Sequence, residues 1–499
     1  MTLEQIMTNR YEKFREGNRL EAKKAEGGLP RSVWETYSAF ANTNGGLILL
    51  GVEELPNKSL HVCGVKNAEK LIKEFWDTVN NPQKVNLNIL TDHHIQAEEI
   101  DGKTIVRISV PRAARFDKPV YLGNNPVKGS FRRNGEGDYH CSKEEVAAML
   151  RDAAPQDLDL TVVHEFPVSV LNRDSIRRYR MRMTNLRPAH SYLALEDVDF
   201  LYQLGAVRRG EDNKLHPTQA GLLMFGNETE IVQVFPHYFL DYQERMEPSA
   251  RWTDRFVSSS GDWSGNLFDF YYRAYQGLAQ SLKIPFMLDG IHRTEATPLH
   301  IGLREALANC LIHADYQGVR GIVIVREPDR LIFSNPGTCR VDLETAKAGG
   351  VSEPRNETLM KMFNFIDVGE RAGSGIFNIY RACDALGLKH PILTESFSPD
   401  RMQIELDLTD IESVVAKLTA KKGSVKGSVK GSVKDQTANK NSERILTLIR
   451  KDPQITAALL AEMLSVTTRA VEKQLASLQS KKKLKRVGGR RYGHWEILS

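Results

Sequence analysis

Long apolar runs are missing from this 499-residue chain. The longest, Gly46-Leu-Ile-Leu-Leu-Gly-Val52, has the length of a strand, against the ~18–20 residues that a membrane helix needs. Cysteine is scarce: Cys63, Cys141, Cys310, Cys339 and Cys383 lie far apart with no C-x-x-C pair, so neither a disulfide framework nor a zinc site is expected. No G-x-x-x-x-G-K-[ST] loop occurs, which excludes a P-loop motor. The opening Met-Thr-Leu-Glu-Gln is not a basic-then-apolar leader. These absences lead to the expectation of a reduced, cytoplasmic protein with no membrane partner. Its length admits three or four domains of roughly 100–200 residues each.

Charge is unevenly spread. Residues 413–499 hold 19 lysines and arginines against 6 acids, +13, and the 412 residues before them carry −8. A basic tail on an acidic body is the usual footprint of nucleic-acid contact; a tail that only aids solubility is the alternative. The tail opens on Lys422-Gly-Ser-Val-Lys-Gly-Ser-Val-Lys-Gly-Ser-Val-Lys434. Its periodic glycine forbids a packed core and its lysines favour extension, so it reads as a tether.

Helical spacing returns at Ser442–Arg450, stops at Asp452-Pro453, resumes over Ala457–Met463 behind Thr456, and again over Thr468–Gln479 with Val471, Leu475 and Leu478 inward. Alternation around Gly488-Gly489 within Leu484–Ile497 signals a β-hairpin. Three short helices and a hairpin resemble a winged helix-turn-helix. That places Arg469, Lys473 and Gln474 on a recognition helix and Arg490 and Arg491 on the wing, with duplex DNA as partner. Such modules also serve as protein-interaction domains.

The first 150 residues read as an α/β unit. Glu21 and Lys23 share one face of a short strand, Leu20–Lys23. A helix runs from Pro30 through Val33, Tyr37 and Phe40, and the apolar strand Leu47–Val52 delivers Glu53 and Glu54. Further strands are predicted at Val85–Leu90 and Thr104–Val110. Glu16, Glu21, Glu53 and Glu54 would repel one another if they converged without a divalent cation. Such a cation can activate water at a phosphate, with Lys23 stabilising the charge that develops. An exposed acidic edge is the other reading of the same residues.

The stretch Ser38-Ala-Phe-Ala-Asn-Thr-Asn-Gly-Gly-Leu-Ile-Leu-Leu-Gly-Val-Glu53, preceded by Glu16-x4-Glu21-x-Lys23, resembles the AlbA-type core domain of the Schlafen family over about residues 10–150. The resemblance implies that Glu16, Glu21 and Glu53 hold Mg²⁺ or Mn²⁺ and, with Lys23, cleave RNA of the transfer-RNA type. Lys128, Arg132 and Arg133 would then guide the RNA backbone. The third acid is usually aspartate in the nucleases, and many bacterial relatives are labelled only as transcriptional regulators.

Residues 155–290 show no recognisable chemistry. Trp252, Trp263 and Phe268-Asp-Phe-Tyr-Tyr272 read as core or domain contacts. Farther on, the helix His300–Leu311 is predicted to set Glu305, Asn309 and His313 on one face. Asn335-Pro-Gly337 closes a strand pair, and Gly369-Glu-Arg-Ala-Gly-Ser-Gly375 opens another helix. A nucleotide site needs a metal-holding Asn, a water-orienting carboxylate and glycine backbone near phosphates. Asn309, Glu305, and Gly373 with Gly375 supply these; a structural Asn and a helix-capping loop is the alternative. With Pro217–Gly226 and Glu353-Pro-Arg-Asn356, these segments resemble the degenerate GHKL-type ATPase domain of bacterial RecG-helicase-related regulators over about 155–410. That resemblance implies ATP as ligand. Asn335-Pro-Gly337 replaces the usual Asp-x-Gly, leaving nucleotide identity and hydrolysis open.

The expected architecture is multidomain α/β: a Schlafen-like unit (1–152), a connecting α-rich region (153–290), a GHKL-like sandwich (291–412), a linker (413–438) and a winged helix (439–499). Two functions of different class follow. One is a metal-dependent RNA endonuclease with a nucleotide-binding module, acting in stress or antiphage defence. The other is a DNA-binding regulator that senses ATP or another ligand and has no nuclease activity. A homo-oligomer is expected in either case.

Overall fold

The computed structural model describes residues 18–155, 158–282, 287–289, 292–294, 298–369, 375–397, 399–411, 413, 445–450, 452–464, 468–481, 483–488 and 494–498. Glu16, Gly373, Arg490, Arg491 and the 422–434 repeat lie outside them. The chain divides into two compact units, Met1–Val415 and Ala416–Ser499. Among the described residues no helix is long and apolar enough to cross a membrane.

The first unit opens on β1 (Leu20–Lys23), α1 (Val33–Asn42), β2 (Gly46–Leu50), β3 (Val52–Glu54), β4 (Leu60–Val62), α2 (Ala68–Val79), β5 (Ile95–Ile100) and β6 (Lys103–Val110). Four strands form a sheet in the order β1-β2-β6-β5, with β1 parallel to β2. A parallel pair needs a crossover, which α1 provides. Every side chain of β2 is buried. Ile48 and Leu50 meet Tyr37, Phe40 and Phe75 on the helix side, whereas Leu47 and Leu49 join Leu20, Val62 and Ile105 on the other. That two-sided burial explains the unbroken apolar run.

Register places Glu21 beside Ile48 and Lys23 beside Leu50, so both polar residues sit on the helix side of an edge strand. Residues 85–90 do not form the predicted strand. Only Val85 makes an isolated bridge, to Leu122, and the Tyr37 hydroxyl bonds Leu87 O and Ile89 N in place of a ladder. The hairpin β7 (Phe131–Asn134) and β8 (Gly137–His140) then leads to α3 (Lys143–Ala153), which opens on a Ser142–Glu145 capping box.

The next segment carries α4 (Arg173–Leu186), α5 (Asp197–Leu204), the hairpin β9 (Val207–Arg209) and β10 (Leu215–Pro217), α6 (Gln219–Phe225), β11 (Leu240–Glu244), β12 (Asp254–Val257) and α7 (Leu267–Ser281). After it come α8 (Pro298–Ile312), β13 (Ile322–Arg326), β14 (Arg330–Pro336), α9 (Glu357–Phe365), α10 (Gly375–Leu386), β15 (Ile392–Phe397) and β16 (Asp400–Asp407). One six-stranded sheet runs β12-β11-β13-β14-β16-β15. Its first two strands come from the segment read as a connecting region, because β11 pairs in parallel with β13. Residues 291–412 therefore share a sheet with the segment before them. Phe268, Phe270 and Tyr271 are core, as expected.

In the second unit, helical residues 445–450 precede α11 (Ala457–Met463), α12 (Thr468–Ser480) and the hairpin β17 (Leu484–Val487) with β18 (His494–Ile497). The Thr456 hydroxyl accepts the Leu459 amide at 3.2 Å. Val471, Leu475 and Leu478 are buried. Trp495 donates its indole N–H to Ile455 O at 3.1 Å, fixing the hairpin to the turn before α11.

Candidate functional site

At the edge of the first sheet, Glu21 is 9 % exposed. Its Oε1 accepts from Lys23 Nζ at 2.8 Å, and its Oε2 lies 2.8 Å from Arg133 Nη2. Arg133 comes from β7, more than a hundred residues away, and also pairs with Asp138 at 2.9 Å. Asp138 in turn accepts from the Thr36 hydroxyl at 2.7 Å. The guanidinium lies over the Phe40 ring, 5.3 Å from its centroid. Glu53 faces outward, paired with Lys24 at 3.5 Å, and Glu54 pairs with Lys58 at 3.1 Å.

Each acid thus has a protein cation beside it. Among the described residues, Glu21, Glu53 and Glu54 belong to no group of three converging ligands. The mutual repulsion that would call for a divalent ion is relieved by Lys23, Arg133, Lys24 and Lys58. Glu21, Glu53 and Glu54, as arranged, do not fit a bound Mg²⁺ or Mn²⁺.

The nucleic-acid contacts expected on this unit separate. Lys128 is exposed. Arg132 and Arg133 are each 5 % exposed. Arg132 pairs with Asp400 at 3.0 Å and with Glu145 at 3.3 Å, and donates to Phe397 O at 3.1 Å. Both guanidiniums are buried and engaged by buried or half-buried acids, which turns them away from an RNA backbone. In the second unit, Arg469 and Lys473 are exposed on α12 and Gln474 is half-buried.

The second constellation lines a partly open pocket between α8, β14 and the start of α10. Asn309, His313, Asn335, Thr338, Arg340, Gly369 and Gly375 are among its lining residues. A Cβ on Gly375 would lie 2.6 Å from Asn309 Nδ2, so only glycine lets α10 begin against that amide. Asn335 is buried and donates to Pro336 O at 3.1 Å.

Two expected members stand elsewhere. Glu305 is buried one turn back along α8 and does not line the cavity. Gly337, with φ +96°, faces Arg355. His313 lies just past the end of α8, its amide bonded to Asn309 O at 3.0 Å. Burial lowers its imidazole to about 4, and the neighbouring Arg355 and Arg340 charges add to the effect. The pocket thus has side-chain amides and glycine backbone in its wall, the donor types that a nucleotide site uses.

Beside the cavity runs a joint that the sequence reading missed. Asp152, near the end of α3, accepts from Arg355 at 2.7 and 2.8 Å and from Arg340 at 3.1 Å. Burial alone would raise its carboxyl; the two guanidiniums overcome this and hold it at about 2. Arg355 also donates to Thr338 O at 2.9 Å and to His313 O. Arg112 pairs with Glu395 at 2.9 Å, Arg115 with Glu353 at 2.7 Å, and Arg151 with Asp315 at 2.9 Å. Thr338, Cys339 and Arg340 line both this pocket and a second, smaller one on the joint. The partners stand 164 to 283 residues apart. No local pattern reveals them; an arginine-rich stretch at 112–115 was the only hint.

Residues 15–142 match the family model described as "Schlafen, AlbA_2". Residues 320–405 match the model described as "Putative ATP-dependent DNA helicase recG C-terminal". Both resemblances read from the sequence are thereby borne out. Residues 147–241 match a domain of unknown function, DUF8451. No curated protein matches. Among solved structures, the DIP2311 protein of Corynebacterium diphtheriae is 15 % identical with a TM-score of 0.38, the alignment covering 96 % of this chain and 95 % of that one. The N-terminal domain of a putative ATP-dependent DNA helicase RecG-related protein from Nitrosomonas europaea is 28 % identical with a TM-score of 0.21, covering 28 % of this chain and 92 % of that one.

Proposed function

We propose that this is a nucleotide-responsive nucleic-acid-binding protein, in which a purine nucleoside triphosphate in the Asn309–Asn335 cavity alters the footing of the Schlafen-like segment. One observation carries the reading: the strap Thr338–Arg340 lines the cavity and grips Asp152 through Arg340. A ligand that moves the strap acts on α3 by the same contact, and by linkage nucleic acid bound to the first segment feeds back on nucleotide affinity. When bound with the nucleotide, magnesium would neutralise triphosphate charge. Asn309 is the residue to hold it, while Gly375 admits the phosphates beside that amide. The basic second unit supplies duplex-DNA contact through Arg469 and Lys473.

The test is calorimetry with ATP and with GTP in the presence of Mg²⁺. Heat with at least one nucleotide, abolished in Asn309→Ala, is the expected result. No heat with either nucleotide from the folded protein overturns the reading. Asp152→Asn should leave nucleotide binding in place while removing any effect of nucleotide on nucleic-acid affinity.

A second reading, cleavage of transfer-RNA-type RNA by the first segment, is supported by the match of residues 15–142 to the Schlafen, AlbA_2 family model. It requires Glu21 to leave Arg133 for a cation. Incubating the protein with transfer RNA and Mn²⁺ tests it: cleavage that vanishes in Glu21→Gln supports it, and intact RNA removes it.

A further inference from the structure

The hairpin β9–β10 turns through Gly210–Lys214, closed by the Gly210 amide donating to Lys214 O at 2.8 Å. At its tip, Asp212 Oδ1 lies 3.1 Å from His216 Nε2 on β10. The other ring nitrogen, His216 Nδ1, is 2.8 Å from Phe166 O. A carbonyl can only accept, so Nδ1 carries a proton and a neutral ring keeps its lone pair on Nε2, aimed at Asp212. This backbone-anchored tautomer is the one that metal-binding histidines adopt.

The third member is His164, on a segment held to the end of β10 by the Val163 amide donating to Pro217 O at 2.9 Å and by an isolated bridge from Val162 to Thr218, the next residue. One ligand atom from each of His164, Asp212 and His216 lies within 4.8 Å of the others. Ions with bonds of ~2.0–2.1 Å in a tetrahedron set their ligands about 3.3 Å apart, and the Asp212–His216 separations of 3.1 and 3.2 Å are close to that value. Gly210 makes the convergence possible. A Cβ there would lie 2.9 Å from His164 Nδ1 and 3.0 Å from Asp212 Oδ1, inside the space between them.

We propose that His164, Asp212 and His216 form a binding site for a single zinc-class divalent ion. The donor set of two imidazoles and one carboxylate suits zinc among the common divalent ions. His164 and Asp212 are exposed and His216 is buried, so a fourth position stays open to water. The ion clips the 161–166 segment, which follows the joint helix α3, to the hairpin. This site lies outside every residue group singled out from the sequence, and it is independent of the nucleotide reading.

The test uses the full chain, stripped with chelator and titrated with zinc chloride alone. One zinc per chain by native mass spectrometry is expected, together with an X-ray absorption shell of nitrogen and oxygen at about 2.0–2.1 Å that includes imidazole scattering. Losing an outer-sphere partner typically costs 10–100-fold in affinity, so loss of a ligand should cost at least about tenfold. His164→Gln and Asp212→Asn, both on the exposed rim, should each show that loss, while substitution of an exposed histidine outside the cluster, His237→Gln, should show none. Zinc should raise the thermal midpoint of wild type and not of His164→Gln. A sulfur shell near 2.3 Å, wild-type affinity in both rim variants, or no binding below millimolar zinc would overturn the site and leave an imidazolium–aspartate pair.

Discussion

The edge of the first sheet and the cavity beside α8 begin from the same kind of sequence: a few polar residues at regular spacing next to glycine-rich turns. They end differently. At the sheet edge, Lys23, Arg133, Lys24 and Lys58 answer the acids one by one. Beside α8, α10 begins at Gly375 directly against the Asn309 amide, and both residues line an open pocket. Whether polar residues become a ligand site depends on what distant segments bring to them. A cation from another strand closes a site; a missing side chain keeps it open.

Breaking the joint that borders the cavity should have the largest effect. Removing one partner of a buried ion pair costs about 3–5 kcal/mol, so Asp152→Ala, which strands both Arg355 and Arg340, should lower unfolding stability by that order in a denaturant titration. Next comes the sheet edge. Arg133→Met leaves Glu21 and Asp138 without their shared cation and should cost about 3 kcal/mol, more than Glu21→Gln, which leaves Arg133 its Asp138 partner. Equal costs for these two variants would mean that Glu21 is not held mainly by Arg133.

A smaller effect is set by pH. The folded-state values of His313 and His300 are both lowered to about 4, mainly by burial, with Arg355 and Arg340 adding at His313 and Arg304 at His300. An unfolded histidine titrates near 6.5. Above that pH both states are neutral and nothing changes. Between about 6.5 and 4 the unfolded state binds protons that the folded state refuses, so stability falls with falling pH by up to ~1.4 kcal/mol per unit for each histidine. Chemical denaturation from pH 7 to 5 should show this slope, and His313→Gln should reduce it. The smallest effect belongs to the second unit. Each of Arg469→Ala and Lys473→Ala should flatten the log–log salt dependence of duplex-DNA binding by about 0.9 if it removes one phosphate contact.

Much of the local architecture was legible. Apolar runs and their capping residues predicted the crossover from β1 through α1 to β2, the long helix α8, and the two helices and hairpin of the second unit, because periodicity and turn chemistry act over a few residues. The predicted strand at 85–90 failed because the Tyr37 hydroxyl, from another element, takes its backbone groups. Glu305, Asn309 and His313 share a helical spacing, yet only the last two reach the cavity. Arg132 and Arg133, expected with Lys128 to guide an RNA backbone, are instead buried counter-charges.

The sequence by itself determined the elements, the two resemblances and the asymmetry of charge, since each is written in neighbouring residues or in a sum over them. Tertiary structure alone decided which charges are neutralised, which glycines open a cavity and which histidines converge. Coulomb interaction and excluded volume act on distance in space, and the chain brings Asp152 to Arg355 across 203 residues without any local signal that it will do so.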